Sequence, residues 1–380
     1  MALDPGNVVQ NAIYLSGGTP WPIGFDAWEA RARELLEQTS YDYVAGGAGA
    51  EETLRANVDA FRRRALRPRM LVGTAERDIS VDVLGLHSPA PFLLAPIGVL
   101  SIVHADAERA VAAAAKSTGV PLVLSSAAST SLEDVAAIDP PRWFQLYWWG
   151  DPELAESLVR RVEAAGYDAI VLTVDTLTLG WRPRDLRNGY LPFLEGKGLG
   201  QFFADPAFLA RLESPPEENL VTASLMALSA FPNLALTWDD LARLREWTSL
   251  PVLLKGIVRG DDARRALDHG IDGIVVSNHG GRQVDGSVAA LDALVDVREA
   301  VGPDAVVLMD SGIRTGADVV KAVALGANAV LLGRPYVYGL AVGGQEGVEA
   351  VIAQLAAEVD LTMALSGARS VADLDPSLVA

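Results

Sequence analysis

Along most of the chain, short apolar runs alternate with amphipathic stretches. Eight runs stand out: Pro91–Gly98, Pro121–Ser126, Arg142–Trp148, Ala169–Asp175, Pro251–Gly256, Gly273–Asn278, Ala305–Asp310 and Ala329–Arg334. They are nearly continuous rather than alternating, as strands buried on both faces of a parallel sheet require. Between them lie segments with a helical period, such as Asp106–Lys116, Glu153–Ala165, Asp261–His269 and Gly316–Leu325. Alternation of strand and helix predicts an α/β fold, and eight repeats predict closure into a (β/α)8 TIM barrel. Two segments fall outside the repeat. The first 90 residues contain a helical approach, Phe25–Glu37, and an extended stretch, Ile79–Val83, suited to capping the barrel bottom. The fourth connection, Thr176–Leu236, far exceeds the few residues usual for a βα loop and predicts a lid over the mouth. The whole of 1–380 is expected to be one barrel domain with these two additions.

The polar positions follow a rule. Each run starts apolar and finishes in residues able to do chemistry: Ser125, Gln145 and Tyr147, Thr173 and Asp175, Lys255, Ser277 and then His279, Asp310, Gly333 and Arg334. In a barrel these converge on the C-terminal mouth, where active sites lie. Strand ends also adjoin polar loops for no chemical reason, which accounts for one or two such residues but not the set.

Composition narrows the partners. Half the residues are apolar, enough for a large core, and 31 Lys+Arg against 49 Asp+Glu give a net charge of −18. So acidic a surface repels phosphate backbones and anionic lipids, so neither nucleic acid nor membrane is expected as a partner. Cysteine is absent, removing thiol nucleophiles and Cys-ligated metals, and the four histidines show no metal-site spacing. The start, MALDPGNVVQ, lacks the pattern of a signal peptide. The most apolar stretch, Leu220–Leu236, is interrupted by polar residues and short of the roughly 20 needed to span a bilayer. A cytoplasmic protein is expected.

Basic residues gathered in such a chain need a local reason. The last two strands end in Asp310-Ser311-Gly312-Ile313-Arg314 and Leu332-Gly333-Arg334. Barrels commonly bind phosphate with these two loops, Gly312 and Gly333 admitting backbone N–H groups and Arg314 and Arg334 adding charge. No G-x-G-x-x-G follows a strand and no Walker loop is present, which disfavours a Rossmann site or P-loop. Lys255, closing an apolar run, suits a site of developing negative charge. The most specific element is Ser277-Asn278-His279-Gly280-Gly281-Arg282-Gln283, which pairs a proton acceptor with an anion clamp on a flexible loop. Histidine suits general-base work because its unperturbed pKa of about 6.5 lies near operating pH. His87, His104 and His269 read as structural.

SNHGGRQ, with LTVDT and GWRPRD upstream and DSGIRTGADVVKA downstream, resembles the FMN-dependent 2-hydroxy-acid oxidase family, from about Phe25 to the last helix. The resemblance implies FMN as cofactor, a small L-2-hydroxy acid as substrate and a homo-oligomer, tetramer or octamer. It implies His279 as the base, Arg182 and Arg282 as carboxylate-binding arginines, and Tyr43 as a carboxylate-binding tyrosine. It also implies Tyr147 as an active-site tyrosine and Asp175 as the carboxylate paired with His279. Flavin contacts fall on Ile97, Gly98, Ser125, Gln145, Thr173, Lys255 and Ser277, and phosphate and ribityl contacts on Asp310, Gly312, Arg314, Gly333 and Arg334. With no haem domain or membrane segment visible, oxygen is the expected electron acceptor.

Two departures bear on the substrate. Most members read Asp-Gly-Gly where this chain has Asp310-Ser311-Gly312; the serine, GWRPRD and the long fourth loop point to the lactate 2-monooxygenase branch. Gly98 stands where many short-chain oxidases carry Ala, which implies slightly more room beside the flavin and leaves substrates larger than lactate open. The alternatives are a simple oxidase releasing 2-keto acid and peroxide and, more distantly, an FMN barrel isomerase, which would want more basic residues at the mouth and no His-x-x-Arg pair.

Overall fold

The computed structural model describes residues 3–231 and 233–380. Along the chain the barrel strands are β1 (Phe92–Leu94), β2 (Leu122–Ser125), β3 (Arg142–Leu146), β4 (Ile170–Thr173), β5 (Val252–Ile257), β6 (Gly273–Val276), β7 (Val306–Met309) and β8 (Ala329–Leu332). Each pairs in parallel with its neighbours, and β8 pairs with β1, closing the ring. The hydrogen-bonded strands are shorter than the apolar runs suggest. Ser125, Gln145, Thr173 and Lys255 sit at or near the last paired positions of their strands, whereas Asp175, Ser277, His279, Asp310, Gly333 and Arg334 follow the ladder, where the chain leaves the sheet to form the mouth.

Side chains alternate along each strand. One set (Leu93, Val123, Trp143, Val171, Leu253, Val275, Leu308, Leu331) packs into a cluster along the barrel axis. The other set (Phe92, Leu124, Phe144, Ile170, Leu254, Ile274, Val307, Val330) joins the larger core beneath the helices. Because the side-chain period is two, the residue two positions past each axial one also faces inward. Those residues are Ala95, Ser125, Gln145, Thr173, Lys255, Ser277, Asp310 and Gly333: a mostly polar tier built directly on an apolar one, with Ala95 still belonging to the apolar cluster.

Eight helices follow the strands: α1 (Ala107–Thr118), α2 (Leu132–Ile138), α3 (Pro152–Ala164), α4 (Leu241–Trp247), α5 (Gly260–Asp268), α6 (Ala290–Val301), α7 (Gly316–Ala324) and α8 (Arg334–Ser366). Their starts are legible in local chemistry. Asp151 accepts from the Glu153 and Leu154 amides with Pro152 in the first turn of α3, and Thr315 and Asp318 form a capping box at α7. α8 is kinked at Gly343–Gly344, where the dihedrals leave the helical region. Among the described residues no helix is long and apolar enough to cross a membrane.

At the N-terminal end of the barrel an antiparallel hairpin, Val81–Val83 with Leu86–Ser88, sends Val83 into the axial cluster beside Trp143. At the other end, the connection after β4 holds short helices at Pro183–Asn188, Gly200–Phe203, Pro206–Leu209 and Leu220–Ala230. Its middle is tied to α3: the fully buried Asp205 accepts from Ser157 and Arg161, each at 3.0 Å, and caps Pro206–Leu209. A buried carboxylate needs such compensation.

Candidate active site

The mouth opens into a cavity whose empty space, open solvent at the mouth included, is about 1140 Å³. Of the residues singled out in the sequence, Tyr43, Tyr147, Arg182, Lys255, His279, Arg282, Asp310, Gly312, Arg314, Gly333 and Arg334 line it, as do Ile97 and Gly98. Ser125, Gln145, Thr173 and Ser277 are buried and make up the tier beneath. The Gln145 amide organises that tier: its oxygen accepts from Ser125 Oγ at 3.0 Å and its nitrogen donates to Thr173 Oγ1 at 3.0 Å. His87, His104 and His269 lie elsewhere, His87 on Asp82 and His269 stacked on Trp238.

His279 and Asp175 meet across the barrel, Nδ1 to Oδ1 at 2.8 Å, and Thr176 Oγ1 donates to the same carboxylate oxygen at 2.7 Å. With Nδ1 donating to the carboxylate, Nε2 would carry the lone pair, and His279 lines the cavity. Burial lowers the imidazole's pKa from its ordinary value, Lys255 and Arg182 push the same way, and Asp175 opposes them. Burial alone would raise Asp175, but His279 and Lys255 outweigh it and hold the carboxyl down to about 2. Lys255, 4% exposed, donates to Ser277 Oγ at 2.9 Å and lies 3.2 Å from Asp310. Burial would lower its pKa, yet Asp310 and Asp175 hold it above the ordinary value. Tyr147 is pushed up to about 12 by burial and by Asp175, so it stays a hydroxyl donor.

The opposite wall is cationic. Arg182 donates to the Arg282 carbonyl at 3.2 Å and to Gln283 Oε1 at 3.0 Å. Arg282 donates to the Tyr43 and Gly46 carbonyls and lies 4.9 Å above the Tyr43 ring. Arg334 binds the carbonyls of Val44, Gly280 and Gly46, and Arg314 rests 4.2 Å above Phe25. Among the described residues none of the four has a carboxylate within ion-pair distance. Burial lowers the pKa of Arg282 to about 9, helped by Arg182, and that of Arg314 to about 10, helped by Arg334. Desolvated cations gathered in this way, neutralised by no carboxylate among the described residues, favour an incoming anion.

Backbone geometry supplies the rest of an anion cradle. Gly333 precedes α8 without a side-chain cap, so the first turn of the helix leaves N–H groups free next to Gly333 and Arg334, which both line the cavity. At Gly312 φ is +96°, and a Cβ there would lie 2.6 Å from the Asn57 carbonyl. Only glycine allows that approach. Gly98 behaves differently from the sequence expectation. Its Cβ direction points at Ala127, 2.8 Å from that residue's Cβ, rather than into open space. The missing methyl is a packing requirement and not extra room for a substrate.

Several contributors escaped the sequence reading. Thr176 bridges Asp175 and His279. Gln283 accepts from Gly180 N–H and Arg182 and donates to the carbonyls of Asp175 and Thr178, joining the insertion to the histidine loop. Asn57 and Asn278 exchange amide hydrogen bonds of 2.8 and 2.7 Å, pinning that loop to the helix Glu52–Arg62. Thr176 and Gln283 sit inside motifs already noted, LTVDT and SNHGGRQ; Asn57 gives no signal, its partner being 221 residues away.

The unpaired arginines, the open helix start and the buried lysine suit a phosphorylated cofactor with an electron-poor ring, and the fold and site define a flavin-dependent oxidoreductase. The chain belongs to the FMN-dependent dehydrogenase family, whose sequence profile matches residues 32–380. Within that family it is a 2-hydroxy-acid oxidoreductase. It is 47% identical over 350 residues to the FMN-dependent alpha-hydroxy acid dehydrogenase qulF of Penicillium citrinum, covering 91% of this chain and 87% of that one. It is 45% identical over 367 residues to an L-lactate oxidase of Nostoc sp., covering 94% and 98%. The fold superposes on the crystal structure of mandelate oxidase with a TM-score of 0.83 at 40% identity, covering 93% and 96%.

Proposed function

We propose that the chain oxidises a small, lactate-like L-2-hydroxy acid with oxygen as terminal acceptor, and that the 2-keto acid is decarboxylated before it leaves. The observation carrying this reading is the juxtaposition of a neutral, Asp175-oriented imidazole with two guanidiniums that lack a carboxylate partner. Arg182 and Arg282, with Tyr43, bind the substrate carboxylate, the planar forks matching its geometry. His279 Nε2 takes the hydroxyl proton, and Asp175 stabilises the imidazolium that results. Arg314, Arg334 and the start of α8 would hold the cofactor phosphate, and Asp310 would accept from a ribityl hydroxyl. Bound FMN supplies the two-electron acceptor. Lys255, kept cationic, is the counter-charge for the ring.

Retention of the keto acid is supported by the insertion, whose Phe193 and Phe231 line the cavity, Phe231 lying 5.1 Å from the Tyr147 ring. We read residues 176–236 as a lid, and the protein as a single-domain cytoplasmic homo-oligomer. Decarboxylating turnover converts lactate and oxygen to acetate, carbon dioxide and water. The second reading, release of keto acid and peroxide, is favoured by the relatives named L-lactate oxidase. A panel of 2-hydroxy acids from lactate to mandelate, scored for peroxide and carbon dioxide together, decides between them. Acetate exceeding pyruvate from lactate is expected; peroxide equal to substrate consumed overturns the decarboxylating step, and no turnover of any member overturns the substrate class.

A further inference from the structure

The histidine loop is held in an uncommon conformation. His279, Gly280 and Gly281 have φ of 59°, 65° and 75°, three consecutive left-handed residues of which the first carries a side chain. Each backbone N–H of this turn meets a side-chain oxygen. His279 N–H donates to Ser277 Oγ at 3.0 Å, Gly280 N–H to Ser311 Oγ at 2.9 Å and Gly281 N–H to Asn278 Oδ1 at 3.2 Å. Two of those oxygens belong to the loop itself. The third comes from the segment after β7.

Ser311 is itself at φ 77°, a conformation that disfavours any residue with a Cβ. It is 8% exposed, and its hydroxyl donates to Asp310 Oδ1 at 2.7 Å while accepting from Gly280. The Asp310 carboxylate also receives Ser277 Oγ at 2.5 Å and faces Lys255. A closed circuit therefore runs from the histidine turn through Ser311 and Asp310 to Ser277 and back to the His279 amide. A glycine at 311 would satisfy the backbone and break that circuit.

We propose that Ser311 is a positioning residue for His279: its hydroxyl ties the loop bearing the phosphate cradle to the turn that aims the imidazole. The hydroxyl function, and not tolerance of the backbone angle, accounts for a serine at this position. The inference rests on His279 being the base.

Two substitutions separate hydroxyl from strain. Ser311→Gly removes both, whereas Ser311→Ala removes the hydroxyl and keeps the strain. In the flavin-loaded enzyme, anaerobic flavin reduction is measured with the fastest 2-hydroxy acid of the panel and normalised to bound flavin. Both variants are expected to slow at saturating substrate on the order of tenfold, as misplaced catalytic groups do. KM is expected to stay within about twofold, since the carboxylate clamp is untouched. Hydrogen exchange in the peptide covering 277–283 should quicken in both, and the alanine variant should melt lower than the glycine one. A glycine variant that reduces flavin at the wild-type rate overturns the proposal. So does activity lost in proportion to flavin, which would make Ser311 a cofactor contact. His279→Gln is run in parallel: normal turnover there removes the base assignment itself, whereas wild-type behaviour of the Ser311 variants alone removes only the coupling.

Discussion

The two sides of the cavity solve the problem of buried charge in opposite ways. On one side His279, Asp175, Lys255 and Asp310 balance one another through contacts of 2.8 to 4.0 Å. On the other, Arg182, Arg282, Arg314 and Arg334 hydrogen-bond to carbonyls and one amide oxygen, and burial depresses the pKa of three of them, Arg282, Arg314 and Arg334. A balanced group is preorganised by the protein alone and fixes where a proton can go. An unbalanced one is completed only by ligand anions, so it selects what enters. On the proposed function, reaction and selection would thus fall to different walls.

This division can be broken from either side. The largest effect is expected on the balanced wall: His279→Ala should keep its flavin, since no phosphate-cradle residue changes, and lose about a thousandfold in turnover. Near-normal turnover of the yellow variant would take the histidine out of the chemistry. On the cationic wall Arg282→Lys keeps the charge and loses the planar fork. Here kcat/KM should fall roughly 10- to 100-fold, the worth of a charged hydrogen bond, with much of the change in KM. An unchanged KM would show that the substrate carboxylate binds elsewhere. The smallest effect is a pH shift. The base must be unprotonated, and burial lowers the His279 pKa, so the acid limb of kcat/KM should fall below about 6.5. Asp175 pulls that pKa upward, so Asp175→Asn should move the limb lower still; a wild-type limb above this value would contradict the electrostatics described here.

The barrel was legible because parallel strands are buried on both faces, leaving apolar runs that end abruptly in polar residues. Those ends also marked the candidate site, since the side-chain period carries the residue two beyond most axial ones toward the cavity that the structure places at the mouth. What stayed hidden depends on direction or distance. The Gly98 methyl vector points at Ala127, and a one-letter comparison with kin holds no vector. Asn57 meets Asn278 only because the N-terminal extension folds over the loop after β6. The serine at 311 was visible as a departure, but its dihedral and its bond to Gly280 exist only in three dimensions.

The hairpin at the far end of the barrel has a consequence for traffic. Val83 and Trp143 pack within the axial cluster, so the route along the barrel axis is plugged and the site behaves as a blind alley. On the proposed oxidation, hydroxy acid, keto acid and dioxygen would all use the mouth, so each departure would set the timing of the next arrival. If the insertion acts as the proposed lid, how long it stays shut would govern whether the first product meets the second before either escapes.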